Sequence, residues 1–141
     1  GELRGPTAVE ETLEAIRPDR LGHGVRSVED PRVLELVAES GVALEVCPRS
    51  NIALGVYGSA AGVPLRTIVE PGIPVPLGAD DPLLFGSRLA DQYELARTAL
   101  DFSDAELAAL ARGSVTASRA PKDVRDATLA DIDAWLAAPA D

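Results

Sequence analysis

At 141 residues the chain has the length of one ordinary domain, and its 46% hydrophobic content suffices to bury a core, which excludes disorder. The formal net charge of -10, from 23 acidic against 13 basic residues, excludes bulk electrostatic attraction to a nucleic-acid backbone. A single cysteine excludes an internal disulfide framework and fits a reducing cytoplasm, and the sequence holds neither a membrane-span run nor a signal-peptide pattern.

The chain contains no Met and opens on Gly1-Glu2-Leu3 without a cap or turn signal, so it reads as a piece of a longer protein. Val9, Leu13 and Ile16 recur at helical spacing, and the glycine-broken apolar run Asp19 to Val25 reads as a strand after that helix. Asp30 and Pro31 supply an N-cap and a first-turn proline, Val33, Leu34 and Val37 an apolar face, and Gly41 a helix C-cap. Val42 to Cys47 then reads as a buried strand stopped by Pro48. Ser50 to Gly62 is expected to be irregular, Pro64 to Val69 a short helix, and Ile73 to Leu77 a third strand ending at Gly78-Ala79-Asp80-Asp81. Asp81-Pro82 opens a long helix carrying Leu84, Leu89, Tyr93 and Ala96. Ser103 with Glu106 forms a capping box, and Thr128 with Asp131 is expected to start a last helix that buries Leu129, Ile132 and Trp135.

Strands that alternate with helices imply parallel strands joined by right-handed crossovers, in a barrel or an open doubly wound sheet. Each strand delivers its unusual residues at its C-terminal end, namely His23, Cys47-Pro48 and Asp80-Asp81, which favours the barrel. Residues 1–141 are thus expected to form one partial barrel, roughly three βα units followed by C-terminal helices.

Asp80 and Asp81 are adjacent carboxylates at a strand-to-helix junction. Alternation along the strand lets one face a metal while its neighbour meets a ligand; alternatively Asp81 only caps the helix and Asp80 is a solvated loop residue. His23 is the one histidine, between Gly22 and Gly24, where backbone can approach a ligand closely; the plainer reading is an imidazole in a turn. Glu2 alone signals nothing, Cys47 reads as a small apolar residue, and Ser50-Asn51 as a turn or cap. The alanine-rich acidic tail from Asp123 reads as an amphipathic helix without chemistry.

Taken in order, Gly1-Glu2, Arg20-Leu21-Gly22-His23-Gly24-Val25, Cys47-Pro48-Arg49-Ser50-Asn51 and Asp80-Asp81-Pro82-Leu83-Leu84-Phe85 resemble the successive motifs of the adenosine deaminase family. The resemblance runs from Glu2 to about Phe85 and is specific because four motifs keep their order and spacing. It implies the C-terminal part of a (β/α)8 barrel with one zinc ion at its mouth, and hydrolytic removal of ammonia from C6 of a purine nucleoside, adenosine giving inosine.

Residue by residue, the resemblance gives Glu2 the role of proton donor to purine N1 and His23 that of orienting or deprotonating the zinc-bound water. It makes Asp80 the zinc ligand and Asp81 the acceptor of a hydrogen bond from the purine edge. Ser50 and Asn51 fall in a segment that supports these groups without acting on substrate. The family's remaining zinc ligands, a His-x-His pair and the histidine of His-Ala-Gly-Glu, lie upstream of Gly1, so this polypeptide alone is expected to lack deaminase activity. Expected partners are the nucleoside, the missing N-terminal half of the barrel and a second copy in a homo-oligomer. Gly22 before His23 matches the form found with nucleosides, where an aspartate goes with free adenine; adenine and aminodeoxyfutalosine stay open as substrates, as does a non-catalytic binding module.

Overall fold

Val9 and Leu13, one helical turn apart and both buried, anchor helix α1 (Pro6–Ile16) in the computed structural model, which describes residues 1–138. Ile16, expected on the same face, is 69% exposed. The helix ends directly after it, where Arg17 turns left-handed (φ 45°) and returns its N–H to Leu13. Strand β1 (Arg20–Gly22) follows, then a 3-10 turn over Val25–Glu29. Helix α2 (Pro31–Ser40) starts as its sequence demands: the Asp30 side chain accepts from the Arg32 N–H, Pro31 fills the first turn, and Gly41 (φ 69°) closes it. Val33 and Val37 point inward.

Strand β2 (Ala43–Glu45) lies parallel to β1, with Leu21 opposite Leu44 and Gly22 opposite Glu45. That register sorts the two faces. Leu21, Leu44 and Val46 join the buried core, while Arg20 and Glu45 sit on the other face, paired at 2.9 Å and half exposed.

The third strand expected at Ile73 to Leu77 forms only in part, as a single parallel bridge between Val46 and Leu77. The cause is proline. The carbonyls of Pro74 and Pro76 accept from the N–H groups of Leu44 and Val46, but neither proline has an N–H to return. The alternate residues Val75 and Leu77 turn their main-chain groups to the far side, where their N–H groups find no backbone partner among the described residues. A closed barrel has no such edge.

After β2 the stretch expected to be irregular contains helix α3 (Pro48–Ala53), begun by Pro48 at its first position, and a 3-10 turn at Ala60–Gly62. The short helix expected over Pro64 to Val69 forms as α4 (Leu65–Val69), with Leu65 and Ile68 buried. The long helix expected from Asp81 is two pieces, α5 (Pro82–Phe85) and α6 (Leu89–Ala99), because Gly86 (φ 59°) terminates the first. Leu84 and Leu89 are consequently exposed, at 72% and 49%.

Helix α7 (Asp104–Thr116) carries the expected capping box between Ser103 and Glu106. Helix α8 begins at Lys122, not Thr128, and runs to Ala137; Thr128 spends its hydroxyl on the Val124 carbonyl, mid-helix. Nor does α8 bury what was expected of it: Leu129 and Ile132 are half-buried and Trp135 is 50% exposed against α7. The core is the helix-covered face of the sheet, where Val25, Leu44, Leu65, Ile68 and Val75 are all sealed from solvent. Each such side chain contributes roughly 1.5–3 kcal/mol. No helix among the described residues is long and apolar enough to cross a membrane.

Candidate active site at the strand ends

Three consecutive parallel segments end on the same side of the sheet, and each end is shaped to hold one functional side chain. His23 follows β1 and is still tied to the ladder, its N–H donating to the Glu45 carbonyl at 3.0 Å. The chain then turns through Gly24 (φ 66°), where a Cβ would sit 2.6 Å from Leu44 Cδ2. Only glycine fits there. Gly24 also admits Gly1, whose own Cβ would fall 2.7 Å from Gly24 Cα, and this close approach of two glycines brings Glu2 beside His23.

Beyond β2, Cys47 precedes α3, whose first turns deliver Ser50 and Asn51, both fully buried. Gly78 ends the third segment by donating to the Val46 carbonyl at 2.9 Å, and a Cβ on it would lie 2.9 Å from Cys47 Sγ. The chain then turns sharply: Asp80 has φ 58°, as has His23. Two of the four non-glycine residues with left-handed backbone are thus the two central site residues among those described. His and Asp tolerate this conformation better than most, at an expense of order 1–3 kcal/mol each that the surrounding hydrogen bonds offset.

The side chains form one line. Asn51 Nδ2 donates to Glu2 Oε1 at 2.6 Å, and Glu2 Oε1 lies 3.5 Å from His23 Nδ1. On the far side of the imidazole, His23 Nε2 is 3.6 Å from Asp80 Oδ2, which accepts the Ser50 hydroxyl at 2.6 Å. Glu2 is the more enclosed carboxylate, its side chain 12% exposed against 32% for Asp80. Three expected site residues, Glu2, His23 and Asp80, are therefore brought together, and Ser50 and Asn51 hold the two carboxylates.

Asp81 stands apart from this line. Its Oδ1 accepts from the N–H groups of Leu83 and Leu84, capping α5, which is the plain role open to an Asp-Pro start. Cys47 is the residue that the sequence undervalues. Its Sγ belongs with the nitrogen of His23 and the carboxylate of Asp80 to a group whose ligand atoms all lie within 4.8 Å of one another. Burial first, then the negative charge of Asp80, pushes its thiol up to about 11. The available signal was positional: Cys47 ends the same strand side as His23 and Asp80.

Chemically, an enclosed carboxyl, an imidazole and an outer carboxylate in series can move a proton at either end of a small molecule seated over them. Asp80, anchored by Ser50, offers an oriented anionic oxygen to a divalent cation, which suits zinc. The roomy apolar groove of about 500 Å³ between α6, α7 and α8, lined by Tyr93, Leu107, Ile132 and Trp135, shares no residue with this site.

Parallel strands with helices on their outer face and polar groups gathered at their C-terminal ends are the pattern of part of a (β/α)8 barrel. The sequence matches the family model for adenosine deaminase over residues 1–135. The chain belongs to that family. It is 57% identical over 98% of its length to a Streptomyces coelicolor protein provisionally named an adenosine/adenine deaminase, and 46% identical over 94% to an adenine deaminase of Rhizobium leguminosarum. Among solved structures, adenine deaminase from Arthrobacter aurescens superposes with a TM-score of 0.93 at 32% identity over 98% of the chain. An amidohydrolase from Burkholderia ambifaria with bound zinc shares the fold at 22% identity and a TM-score of 0.79 over 94% of the chain. The chain spans 40–42% of the length of the first three of these proteins and 37% of the fourth. Its fold is the corresponding C-terminal part of their barrel.

Proposed function

We propose that this chain supplies part of the active site of a zinc-dependent purine deaminase, in which water replaces the 6-amino group and ammonia leaves. The observation that carries this reading is the line Glu2–His23–Asp80, fixed at both ends by Asn51 and Ser50. Asp80 would be the zinc ligand contributed by this chain, the others coming from the preceding part of the protein. Zinc, when bound, lowers the pKa of water toward ~7 and so supplies a nucleophile at neutral pH.

His23 takes the proton of the attacking water as oxygen bonds to C6, and the ring electron pair moves to N1. Glu2 gives N1 its proton, so no negative charge accumulates on the ring. The C6–N bond then breaks, the amino group leaving as ammonia with a proton returned through the same groups. Asp81 is assigned the purine edge through its free Oδ2, its Oδ1 being held by the helix cap.

Adenosine is the substrate favoured by Gly22. Nothing lies within 4 Å of a Cβ built there, so packing does not demand the glycine, and the space beside His23 is open to a bulkier substrate such as a nucleoside. Free adenine is the second reading, favoured by the names of the Rhizobium and Arthrobacter relatives. A panel of adenosine, 2′-deoxyadenosine, adenine and aminodeoxyfutalosine, assayed for ammonia release by the whole protein, separates them. The highest kcat/KM is expected for adenosine, and preference for adenine installs the second reading. Release from none of the four overturns deamination.

Residues 1–141 are assigned to a single partial barrel, although 139–141 lie outside the described residues. The unpaired edge at Val75 and Leu77 fits closure by the rest of the barrel.

A further inference from the structure

We infer that Gln92, which lies outside the line Glu2–His23–Asp80, is a positioning residue for Asp80: its one side chain holds both α3, which carries Ser50, and the segment that follows Asp80. The inference rests on the reading of Asp80 as a zinc ligand. Gln92 lies on the inward face of α6 with Leu95 and Ala96, where helical spacing calls for an apolar residue, and it is fully sealed from solvent. A buried amide is costly unless its groups are bonded. Here they are. Oε1 accepts from the Arg49 N–H at 3.0 Å, and Nε2 donates to Ser87 Oγ at 2.8 Å and, more weakly, to the Arg88 carbonyl at 3.4 Å.

Each bond lands on a segment that local forces hold weakly. Helix α3 has six residues, too few to persist alone in water, and Cys47 gives it no side-chain cap. Pro48 has no N–H, so Arg49 carries the first donor of the helix, and Gln92 supplies its acceptor from across the fold. Ser50 is the next residue, and its hydroxyl reaches Asp80 at 2.6 Å. On the other side, the four-residue α5 begins at the Asp81 cap and ends at Gly86, and the buried Ser87 follows directly. Gln92 thus fixes the far end of the stretch that Asp80 opens. The donor and the acceptor of the Ser50–Asp80 hydrogen bond are set against each other through one amide. Such a bond weakens steeply once its angle departs from linear, so its strength depends on that alignment.

The test is the zinc affinity of the whole protein, measured by competition with a metal buffer in a cycle of Gln92→Met and Ser50→Ala. Methionine keeps the shape and removes all of the amide's bonds. Gln92→Met is expected to weaken zinc binding about tenfold, the lower end of the usual effect of an outer partner. It should add little further loss once Ser50 is alanine, because the route from Gln92 to Asp80 runs through that hydroxyl. A general loss of stability would lower the affinity alike in both backgrounds. Gln92→Glu is expected to restore the wild-type affinity, since its carboxyl, kept neutral by burial, accepts from Arg49 and donates to Ser87. Should Gln92→Met not fold, the same cycle with Ser87→Ala, which cuts only the bond from Nε2 to Ser87, is expected to show the same dependence on Ser50. Affinity unchanged in Gln92→Met, or reduced equally with and without the Ser50 hydroxyl, overturns the inference. A wild type that holds no zinc overturns the reading of Asp80 and this inference with it, whereas one that holds zinc indifferently to Gln92 overturns this inference alone.

Discussion

Ser50 donates a 2.6 Å hydrogen bond to Asp80 from thirty residues away in sequence, so the first turn of α3 sets the direction of the carboxylate that ends the next segment. In the whole protein, Ser50→Ala is expected to lower zinc affinity about 10- to 100-fold, the usual effect of losing a group that orients a ligand. Stability should fall by only about 1 kcal/mol. Competition with a metal buffer measures the first and thermal unfolding the second; unchanged affinity would show that Asp80 needs no support.

Glu2→Gln keeps the shape and the Asn51 contact but removes the transferable proton. Zinc content should stay at one per site while kcat falls by roughly 10²–10⁴. A rate within twofold of wild type would discard the N1 protonation role.

The two glycines around His23 should respond very differently to the same change. Gly24→Ala places a methyl 2.6 Å from Leu44 Cδ2 at a left-handed backbone (φ 66°), and is expected to destabilise by about 1–3 kcal/mol. Gly22→Ala meets nothing within 4 Å and should change stability by less than about 0.5 kcal/mol. Paired urea denaturations decide the matter.

Arg66 closes the loop between α6 and α7. Its Nε donates to the Leu100 carbonyl at 2.7 Å, it also bonds the Asp101 carbonyl, and its guanidinium lies 4.3 Å from the Phe102 ring centroid. Arg66→Ala should therefore cost about 1–2 kcal/mol at neutral pH. Arg66 and the Ser103 cap hold the Glu106 carboxyl down at about 2, against an ordinary 4.5. A depressed acid stabilises the fold above its unfolded pKa and loses that contribution as pH falls through its folded one. The gap between wild type and Arg66→Ala should accordingly be full above about pH 5 and narrow between 4.5 and 2. Unfolding curves at pH 7, 4 and 2.5 measure it.

Most of the architecture could be read from local signals. The cap at Asp30, the proline at Pro31, the stop at Gly41 and the Ser103–Glu106 box fixed α2 and the start of α7 because each acts within one helical turn. The misreadings came where a local rule met a competing one. Apolar content made Ile73 to Leu77 look like a strand, yet two prolines deprive it of the donors a ladder needs. Helical spacing ran through Gly86 as though it were not a terminator. Ser103-type logic applied to Thr128 placed the start of α8 six residues late, since Thr128 bonds back to Val124 inside the helix.

At the site, His23, Asp80 and Glu2 emerged from ordered motifs, and their meeting could not be seen in the residues one at a time. What escaped was Cys47. Its packing role was evident from the apolar run around it, but its distance to Asp80 depends on the tertiary alignment of two strand ends and on Gly78 leaving space between them.

The most direct test is Asp80→Ala in the whole protein, with zinc per protomer and adenosine turnover measured on the same sample. Loss of both together is the predicted result. Full zinc occupancy with retained deamination would contradict the account, because Asp80 would then belong neither to the metal nor to the chemistry.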